Sequence, residues 1–257
     1  MTEPYDMAVL DWGIGGFGFV WAYRARHPSA RLLYLSDSGS APYGLLSRAA
    51  LRRRIHEVVQ WSERMGARRL VIACNAASSA LDESVQSLPV SGIVRAGISQ
   101  VARAGFRRVG VIGGRRTILS RAYATPLRRM GIEVRQRVAQ PLSALVEEGA
   151  LTGARVDEAL TRALRGFRSI DALVMGCTHY PALRSGIERR LPGVALIDPA
   201  KALVDSVAAS NSAGRGRLCC YTTGDGARSR RSARVAFGCD PGAFEQLAAQ
   251  TLLPTPS

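Results

Sequence analysis

The sequence predicts an α/β fold with two pseudosymmetric lobes, each a mainly parallel sheet flanked by helices, and an active site between them. Three observations lead to this prediction. Apolar runs of strand length are followed by turn residues and then by segments of helical character. A glycine-containing corner follows a strand twice, at residues 13–18 and 113–114. A cysteine also follows an apolar run twice, at Cys74 and Cys177.

The first series of elements occupies the N-terminal part of the chain. Its predicted strands are residues 7–10, 31–35, 69–73 and 90–93. Its predicted helices run from the glycine corner to about residue 26, and then over about 47–65 and 78–87. Strands that alternate with helices pair in parallel. We therefore expect one parallel sheet with helices on its faces.

The second series repeats this order. Its predicted strands are residues 109–112, 133–138 and 173–175, and its predicted helices lie near 118–130 and 157–164. After about Asp205 the chain is expected to hold an arginine-rich polar loop, 226–234, and a short helix, 241–252. Ligands bind at the carboxyl ends of strands in open α/β sheets, so the repeated corners are expected to face one cleft.

The composition is that of a globular protein. Of the 257 residues, 47% are hydrophobic and 21% are charged, which is outside the disordered range and leaves room for one large or two small domains. The net charge of +15 comes almost wholly from arginines in scattered pairs and triplets. No nucleic-acid recognition motif accompanies them, so this pattern favours solvated faces over a nucleic-acid site.

The sequence indicates a cytoplasmic protein with reduced thiols. No apolar run reaches the ~18 residues that a membrane-spanning helix needs, and the first residues lack the pattern of a secretory signal. The five cysteines are an odd number, and none has the paired spacing of a zinc site. We therefore expect free thiols, no metal and no membrane contact.

The two cysteine corners carry the predicted chemistry. They read LVIACNAASSAL, residues 70–81, and LVMGCTHYPALR, residues 173–184. A single cysteine of this kind is more often a small core residue, but the duplication favours a catalytic pair. A helix N-terminus after each cysteine would favour thiolate over thiol. One sulfur could then remove a proton from one face of a carbon while the other returns a proton to the opposite face, without a cofactor.

Other polar side chains follow the predicted strands. Carboxylates and a histidine that could tune the thiols are Asp11, Asp37, Glu147 and His179. A carbanion beside a carboxylate needs positioned hydrogen-bond donors, and Asn75, Thr178 and nearby backbone N–H groups could supply them. Each of these residues also has an ordinary structural interpretation as a turn, cap or core residue.

A rival interpretation starts from the glycines of the first corner. Residues 13–18 fit the pattern G-x-G-x-x-G, and Asp37 follows about twenty residues later at the end of the second strand, as in a nicotinamide-dependent oxidoreductase. Asp11 argues against this interpretation, because a pyrophosphate needs the helix N-terminus free of negative charge. The twin cysteine corners also have no role in hydride transfer.

With these corners placed, the sequence resembles the glutamate racemases of the aspartate/glutamate racemase family. The resemblance runs nearly end to end, and its cysteine-centred segments are its most specific part. The segments that carry it are DWGIGG (11–16), Asp37 with APYG (41–44), CNAAS (74–78), LVEEG (145–149), GCTHYP (176–181), LID (196–198), TTGD (222–225) and DPGAF (240–244).

The resemblance implies a cofactor-independent racemase that supplies D-glutamate for peptidoglycan, commonly as a homodimer. Its lobes would be residues 1–94 with 206–257, and residues 95–205. Cys74 and Cys177 would be the acid/base pair, with Asp11 assisting Cys74, and Glu147 and His179 assisting Cys177. The substrate-binding positions would be Trp12, Asp37, Pro42, Tyr43, Gly44, Asn75, Ala76, Thr117 and Thr178. Some of these racemases are associated with inhibition of DNA gyrase, which leaves a gyrase or DNA contact open without support from a motif.

Three positions depart from the family pattern. Trp12 replaces a serine, and Ala76 and Gly114 each replace a threonine. These changes remove up to three hydroxyl donors, each worth ~0.5–1.5 kcal/mol. If the Trp12 indole points into the pocket, the alternatives are a different amino-acid substrate or a binding protein without turnover; if it points away, the pocket is less polar.

Overall fold

The chain folds around two parallel sheets. The computed structural model describes residues 4–82, 87–210, 212, 214–248 and 252. Within these residues the first sheet contains β1 (Met7–Asp11), β2 (Arg31–Ser36), β3 (Leu70–Ile72), β4 (Val90–Gly92), β9 (Arg217–Thr222) and β10 (Phe244–Gln246). They are ordered β10-β9-β2-β1-β3-β4, and every neighbouring pair is parallel.

The second sheet repeats the central part of the first. Its described strands are β5 (Arg108–Gly113), β6 (Glu133–Val138), β7 (Ala172–Gly176) and β8 (Ala195–Ile197), in the order β6-β5-β7-β8. This is the order β2-β1-β3-β4 of the first sheet, again with parallel pairs. The prediction of an α/β fold with two similar parallel sheets is therefore confirmed. The lobe boundaries stay a prediction.

Helices flank both sheets. They are α1 (Phe17–Arg26), α2 (Arg48–Arg64), α3 (Asn75–Ser78), α4 (Ile93–Ala104), α5 (Arg115–Leu119), α6 (Ala124–Arg129), α7 (Gln140–Glu147), α8 (Ala154–Leu164), α9 (Arg184–Arg190), α10 (Pro199–Ser206) and α11 (Gly226–Phe237). Local sequence sets several ends: Ser47 accepts a hydrogen bond from the Ala50 N–H at the start of α2, and Gly105 ends α4 with a φ of 71°.

One hydrophobic core is shared by the two sheets. It contains Val9 and Val71 from the first sheet and Val111 and Val174 from the second, together with side chains of α1, α4 and α10. Burial of each such side chain stabilises the fold by about 1.5–3 kcal/mol. Two further cores cover the opposite faces of the sheets. The shared core joins the lobes and holds the carboxyl ends of both sheets toward one cleft.

The C-terminal part differs from the prediction. Residues 226–234 are not a loop but belong to α11, because Asp225 caps the helix at the Arg228 N–H and the small side chains of Ser229 and Ser232 are buried. The predicted helix at 241–252 is also wrong. Residues 244–246 form β10, whose Phe244 packs edge-on against Phe17 at a centroid distance of 6.0 Å; residues 249–251 lie outside the described residues.

Several helix and strand bounds also needed correction. The helix predicted at 78–87 is α3, which ends at Ser78, while residues 83–86 lie outside the described part of the chain. The helix predicted at 118–130 is divided into α5 and α6, because Arg121 has a φ of 55°. The sequence reasoning missed α4, α7, α9, α10, β8 and β9, and it began α8 too late.

Among the described residues, no helix combines the length and apolar character needed to cross a bilayer.

The contact between the loops after β2 and β9 generates a stability prediction. A Cβ at Gly39 would overlap the backbone carbonyl oxygen of Thr223, whereas a Cβ at Gly18, in α1, would meet Phe237 at an ordinary 3.6 Å. Gly39→Ala should lower the free energy of unfolding by about 1–3 kcal/mol. Gly18→Ala should leave it unchanged or raise it by up to about 1 kcal/mol, because alanine favours helix. Urea unfolding measures both, and equal stabilities would contradict the close approach.

Candidate active site

A cavity of about 420 Å³ lies at the carboxyl ends of the two sheets. Loops after β1, β2, β3, β5 and β7 line it, together with side chains of α7 and α11. All of the predicted site residues except Asp37 line it. They are Asp11, Trp12, Pro42, Tyr43, Gly44, Cys74, Asn75, Ala76, Thr117, Glu147, Cys177, Thr178 and His179.

The two cysteines reach this cavity from equivalent places in the two sheets. Cys74 lies two residues after β3, and Cys177 directly follows β7, the strand at the same position in the second sheet. Both are free thiols. Cys74 is buried with 8% of its surface exposed, and Cys177 is partly exposed. One cavity therefore presents two sulfur atoms, one from each lobe.

Cys177 is joined to a histidine and a carboxylate. Its Sγ lies 3.5 Å from His179 Nδ1, and His179 Nε2 lies 2.6 Å from Glu147 Oε1. Burial alone would lower the pKa of His179, but the hydrogen bonds and charges of Cys177 and Glu147 outweigh it and raise that pKa well above 6.5. His179 can therefore keep a proton next to the sulfur at neutral pH.

Glu147 is held as a carboxylate on the far side of His179. Burial alone would raise its pKa, but the hydrogen bond and charge of His179, the Ile14 N–H at 3.2 Å and the charge of Arg228 lower it. The Ile14 contact comes from the opposite lobe. Glu147 therefore orients His179 and also ties α7 to the first glycine corner.

Cys74 has a different environment. Burial raises the pKa of its thiol well above 9.0, and the charge of Asp11 adds to this effect, while the Ala77 and Trp12 N–H groups oppose it. Burial also raises the pKa of Asp11, against the charge of His179 and hydrogen bonds from Cys74 and Gly16. Cys74 is therefore a thiol at neutral pH in the unliganded protein.

The prediction that a helix dipole favours a thiolate at Cys74 is wrong. The helix after it, α3, has only four residues, and desolvation of the sulfur outweighs the few N–H groups that face it. The element that follows Cys177 is a 3-10 helix, Tyr180–Leu183, and not an α-helix. His179, rather than a helix N-terminus, is the group that contacts the Cys177 sulfur.

The first glycine corner serves contact between the lobes. A Cβ at Gly13 would overlap Glu147 Oε1, and a Cβ at Gly15 would lie 2.5 Å from Thr178 Cβ. The glycines therefore let the backbone of one lobe approach Glu147 and Thr178 of the other. This explains the G-x-G-x-x-G pattern without a dinucleotide.

The role of Asp37 in binding substrate stays a prediction, and its side chain is the one among the predicted site residues that does not line the cavity. Its buried carboxylate accepts hydrogen bonds from Tyr43 Oη at 2.6 Å, from Arg54 at 2.6 and 2.8 Å, and from Thr223 Oγ1 at 2.9 Å. Because these donors already bind the carboxylate, Asp37 is held next to Tyr43 and does not line the cavity. Asp37 positions the loop that carries Pro42, Tyr43 and Gly44.

Asn75 presents a free donor to the cavity. Its side chain is 2% exposed, and its Oδ1 accepts a hydrogen bond from Tyr123 Oη at 2.7 Å. Its Nδ2 has no hydrogen-bond partner among the described residues. A buried amide nitrogen without a partner costs about 1–3 kcal/mol, which a bound carboxylate would offset. Across the cleft, Thr178 Oγ1 donates to Asp11 Oδ2 at 3.2 Å.

Trp12 lies on the cavity wall and is held against the neighbouring loop. Its Nε1–H donates to the Ser40 carbonyl oxygen at 3.3 Å, so the ring packs beside the segment that leads to Pro42. Ala76 and Gly114 line the same cavity without hydroxyl groups. The wall is therefore less polar than the family pattern implies.

Sequence reasoning missed several residues that line the cavity: Ser38, Gln140, Ser143, Ala144, Glu148, Gly176, Asp225, Arg228 and Ser229. Gln140 and Ser143 lie on α7, which the sequence does not predict, and Arg228 and Ser229 lie on α11, where the sequence predicts a loop. The LVEEG and TTGD segments are the sequence signals nearest to them.

In the described part of the chain, no three His, Cys, Asp or Glu side chains are grouped to hold a metal ion.

Comparison with known proteins identifies the family. The profile of the Asp/Glu/Hydantoin racemase family matches residues 20–207. The chain belongs to this family. It is 34% identical to the glutamate racemase of Aquifex aeolicus over 206 residues, which are 78% of this chain and 81% of that protein. As a family member it is an amino-acid racemase, and therefore an isomerase.

Solved racemase structures share the whole fold. The glutamate racemase of Thermus thermophilus, in complex with beta-chloro-D-alanine, matches with a TM-score of 0.86 and 32% identity over 96% of this chain and 98% of that one. The glutamate racemase of Francisella tularensis, in complex with D-glutamate, has a TM-score of 0.86 and 26% identity over 95% and 97%. The fold of the Asp/Glu/Hydantoin racemase family thus spans nearly all of the chain.

The pair of Glu147 and His179 generates a pH-dependent stability prediction. The pKa of Glu147 is lowered, so its contribution to stability is complete above pH 4.5 and is lost as the pH falls through the lowered pKa. The pKa of His179 is raised, so its contribution to stability is complete below pH 6.5 and is lost as the pH rises through the raised pKa. Glu147→Gln should therefore lower the free energy of unfolding most between pH 4.5 and 6.5, by about 2 kcal/mol, when measured by urea unfolding over a pH series.

Glu148→Gln is the matched control. Glu148 is an exposed neighbour that pairs with Arg155 at 3.0 Å, so its loss should change stability by less than about 0.5 kcal/mol at every pH. A cost for Glu147→Gln that does not vary with pH, or that equals that of Glu148→Gln, would contradict the proposed ion pair.

Proposed function

We propose that this protein interconverts L- and D-glutamate by proton transfer through Cys74 and Cys177. The observation that carries the proposal is one cavity with two thiols, one from each lobe, each beside its own carboxylate or histidine partner. We propose glutamate as the substrate because the similar proteins are glutamate racemases. No cofactor takes part in the proposed steps.

The proposed reaction has two proton transfers. One cysteine, as a thiolate, forms an S–H bond with the α-proton as the Cα–H bond breaks, and the electron pair stays on the α-carbon. The other cysteine, as a thiol, then gives its proton to the opposite face of that carbon and becomes a thiolate. The product is the enantiomer, and the two sulfurs have exchanged protonation states, so the reverse reaction starts from the state that the forward reaction leaves.

The two half-sites support different starting states. Cys74 is the thiol at rest because of its burial and the adjacent Asp11. The Cys177 sulfur lies beside His179, whose pKa is raised and whose positive charge Glu147 stabilises. We therefore propose that the resting protein is ready to deprotonate the enantiomer whose α-hydrogen faces Cys177.

Substrate contacts are proposed from the free polar groups. Asn75 Nδ2 would donate to the α-carboxylate, where negative charge builds up on deprotonation. Thr178 and Asp11 would face the amino group. Thr117 and the segment Pro42, Tyr43 and Gly44 would complete the cavity around the side chain.

The biological setting is part of the same proposal. We propose that the protein acts in the cytoplasm as a homodimer and supplies D-glutamate for peptidoglycan synthesis. The resemblance to glutamate racemases supports each of these statements.

A second candidate function is racemisation of a different amino acid. The wall formed by Trp12, Ala76 and Gly114 lacks three hydroxyl groups of the family pattern, and this favours a less polar substrate. A panel of L- and D-amino acids, followed by circular dichroism, decides between them. Glutamate should give the largest kcat/KM; a larger value for an apolar amino acid would favour the second candidate. Inactivity toward every amino acid would favour a binding role.

The two-cysteine mechanism predicts that each thiol is essential. Cys74→Ser and Cys177→Ser should each lower kcat for glutamate racemisation by about 10²–10⁴-fold, because serine is a far weaker acid and base at neutral pH. Circular dichroism from either enantiomer measures the rates. Cys239→Ser changes an exposed cysteine outside the cavity and should leave turnover at the wild-type level. Undiminished turnover in either cavity variant would rule the mechanism out.

A further inference from the structure

Gln140 lies at the cavity wall at the start of α7, the helix that carries Glu147. Neither the catalytic pair nor the segments that carry the family resemblance include it. Its side chain is nevertheless held by both ends of its amide. Gln140 Oε1 accepts a hydrogen bond from the Arg115 N–H at 3.0 Å, and Gln140 Nε2 donates to Ser143 Oγ at 3.1 Å.

These contacts fix the orientation of the amide. The Arg115 N–H can only donate, so the amide oxygen must face it and the nitrogen must face Ser143. Ser143 Oγ in turn donates to the Gln140 carbonyl oxygen at 2.8 Å, so it accepts from Nε2. An amide nitrogen carries two hydrogens. Ser143 takes one, and the other can donate to a ligand.

The amide stands between glycines of the two lobes. A Cβ at Gly114 would lie 2.9 Å from Gln140 Oε1, and a Cβ at Gly44 would lie 3.3 Å from it. Both glycines line the cavity. Gln140 therefore occupies the space that a side chain at Gly114 would need, next to the segment that ends at Gly44. At Gly114 the family pattern has a threonine, so one of its hydroxyl groups is missing from this wall.

We propose that Gln140 Nε2 donates a hydrogen bond to the side-chain carboxylate of the bound amino acid and makes the cavity selective for acidic amino acids. This inference rests on the proposed function, since it assumes a glutamate-like substrate between the sulfurs. The hydrogen bond to the ligand would have a low entropic cost, because two protein contacts already fix the rotamer of Gln140. The Gln140 amide would replace the hydroxyl donor that the family pattern has as a threonine at position 114.

Arg228 is the competing candidate for this role. Among the described residues that line the cavity it is the one arginine or lysine. Both Arg228 and Gln140 are exposed, but the charge of Arg228 acts on Glu147, which lies on the side of the cavity that holds His179 and Cys177. Gln140 is fixed by its neighbours and contacts both glycine walls. The two residues are therefore tested side by side.

The experiment compares KM and kcat for glutamate in wild type, Gln140→Ala, Gln140→Glu and Arg228→Ala. Loss of one hydrogen bond to a charged group predicts a KM about tenfold higher in Gln140→Ala, with kcat within about twofold of wild type. Gln140→Glu keeps the shape and the acceptor for the Arg115 N–H but loses the donor and adds a negative charge. Its KM should rise at least as much.

Two controls separate specificity from folding and from failure of the proposed function. Gln246→Ala removes an exposed glutamine of β10, outside the cavity, and should leave KM and kcat unchanged. The melting temperature of each variant reports folding. If wild type does not racemise glutamate, the proposed function fails. If wild type is active and Gln140→Glu binds glutamate as well as wild type, or only Arg228→Ala raises KM, the role of Gln140 is overturned.

Discussion

The close approach of the two lobes at the first glycine corner is the constraint on which the site depends. The backbone at Gly13 and Gly15 lies against Glu147 and Thr178 with no room for a Cβ. This approach lets the Ile14 N–H bind Glu147 and lets Thr178 bind Asp11. A carboxylate from each lobe thereby contacts the other lobe, and glycine at these two positions permits the close approach.

A repeated fold has produced two unequal half-sites. Strands β3 and β7 occupy the same place in their sheets, and a cysteine follows each. Their surroundings differ because Cys74 is buried against Asp11, while Cys177 contacts a histidine whose charge Glu147 supports. Inversion at a carbon needs one acid and one base at a time. In the proposed mechanism, the unequal environments supply that difference before substrate binds, and proton transfer then reverses it.

Sequence reasoning placed the cavity well because the corners that line it follow strands. Asp11, Cys74 and Cys177 come directly after apolar runs, so parallel pairing alone brings them to one edge of each sheet. The predictions from sequence were wrong where tertiary packing determines the protonation state of a side chain or the formation of a helix. Burial, which no local pattern reports, sets the protonation of Cys74. The polar segment that became α11 buries only the small side chains of Ser229, Ser232 and Ala233, so it lacked a stripe of large apolar residues that would predict a helix.

The central claim is that two different groups handle the proton on the two faces of the α-carbon. The most direct test starts from L-glutamate in D₂O and follows deuterium at the α-carbon by NMR at low conversion. The account predicts that the D-glutamate formed carries deuterium, while the L-glutamate that remains still carries hydrogen. Deuterium that accumulates equally in the remaining L-glutamate and in the product would show that one group serves both faces, and would contradict the account.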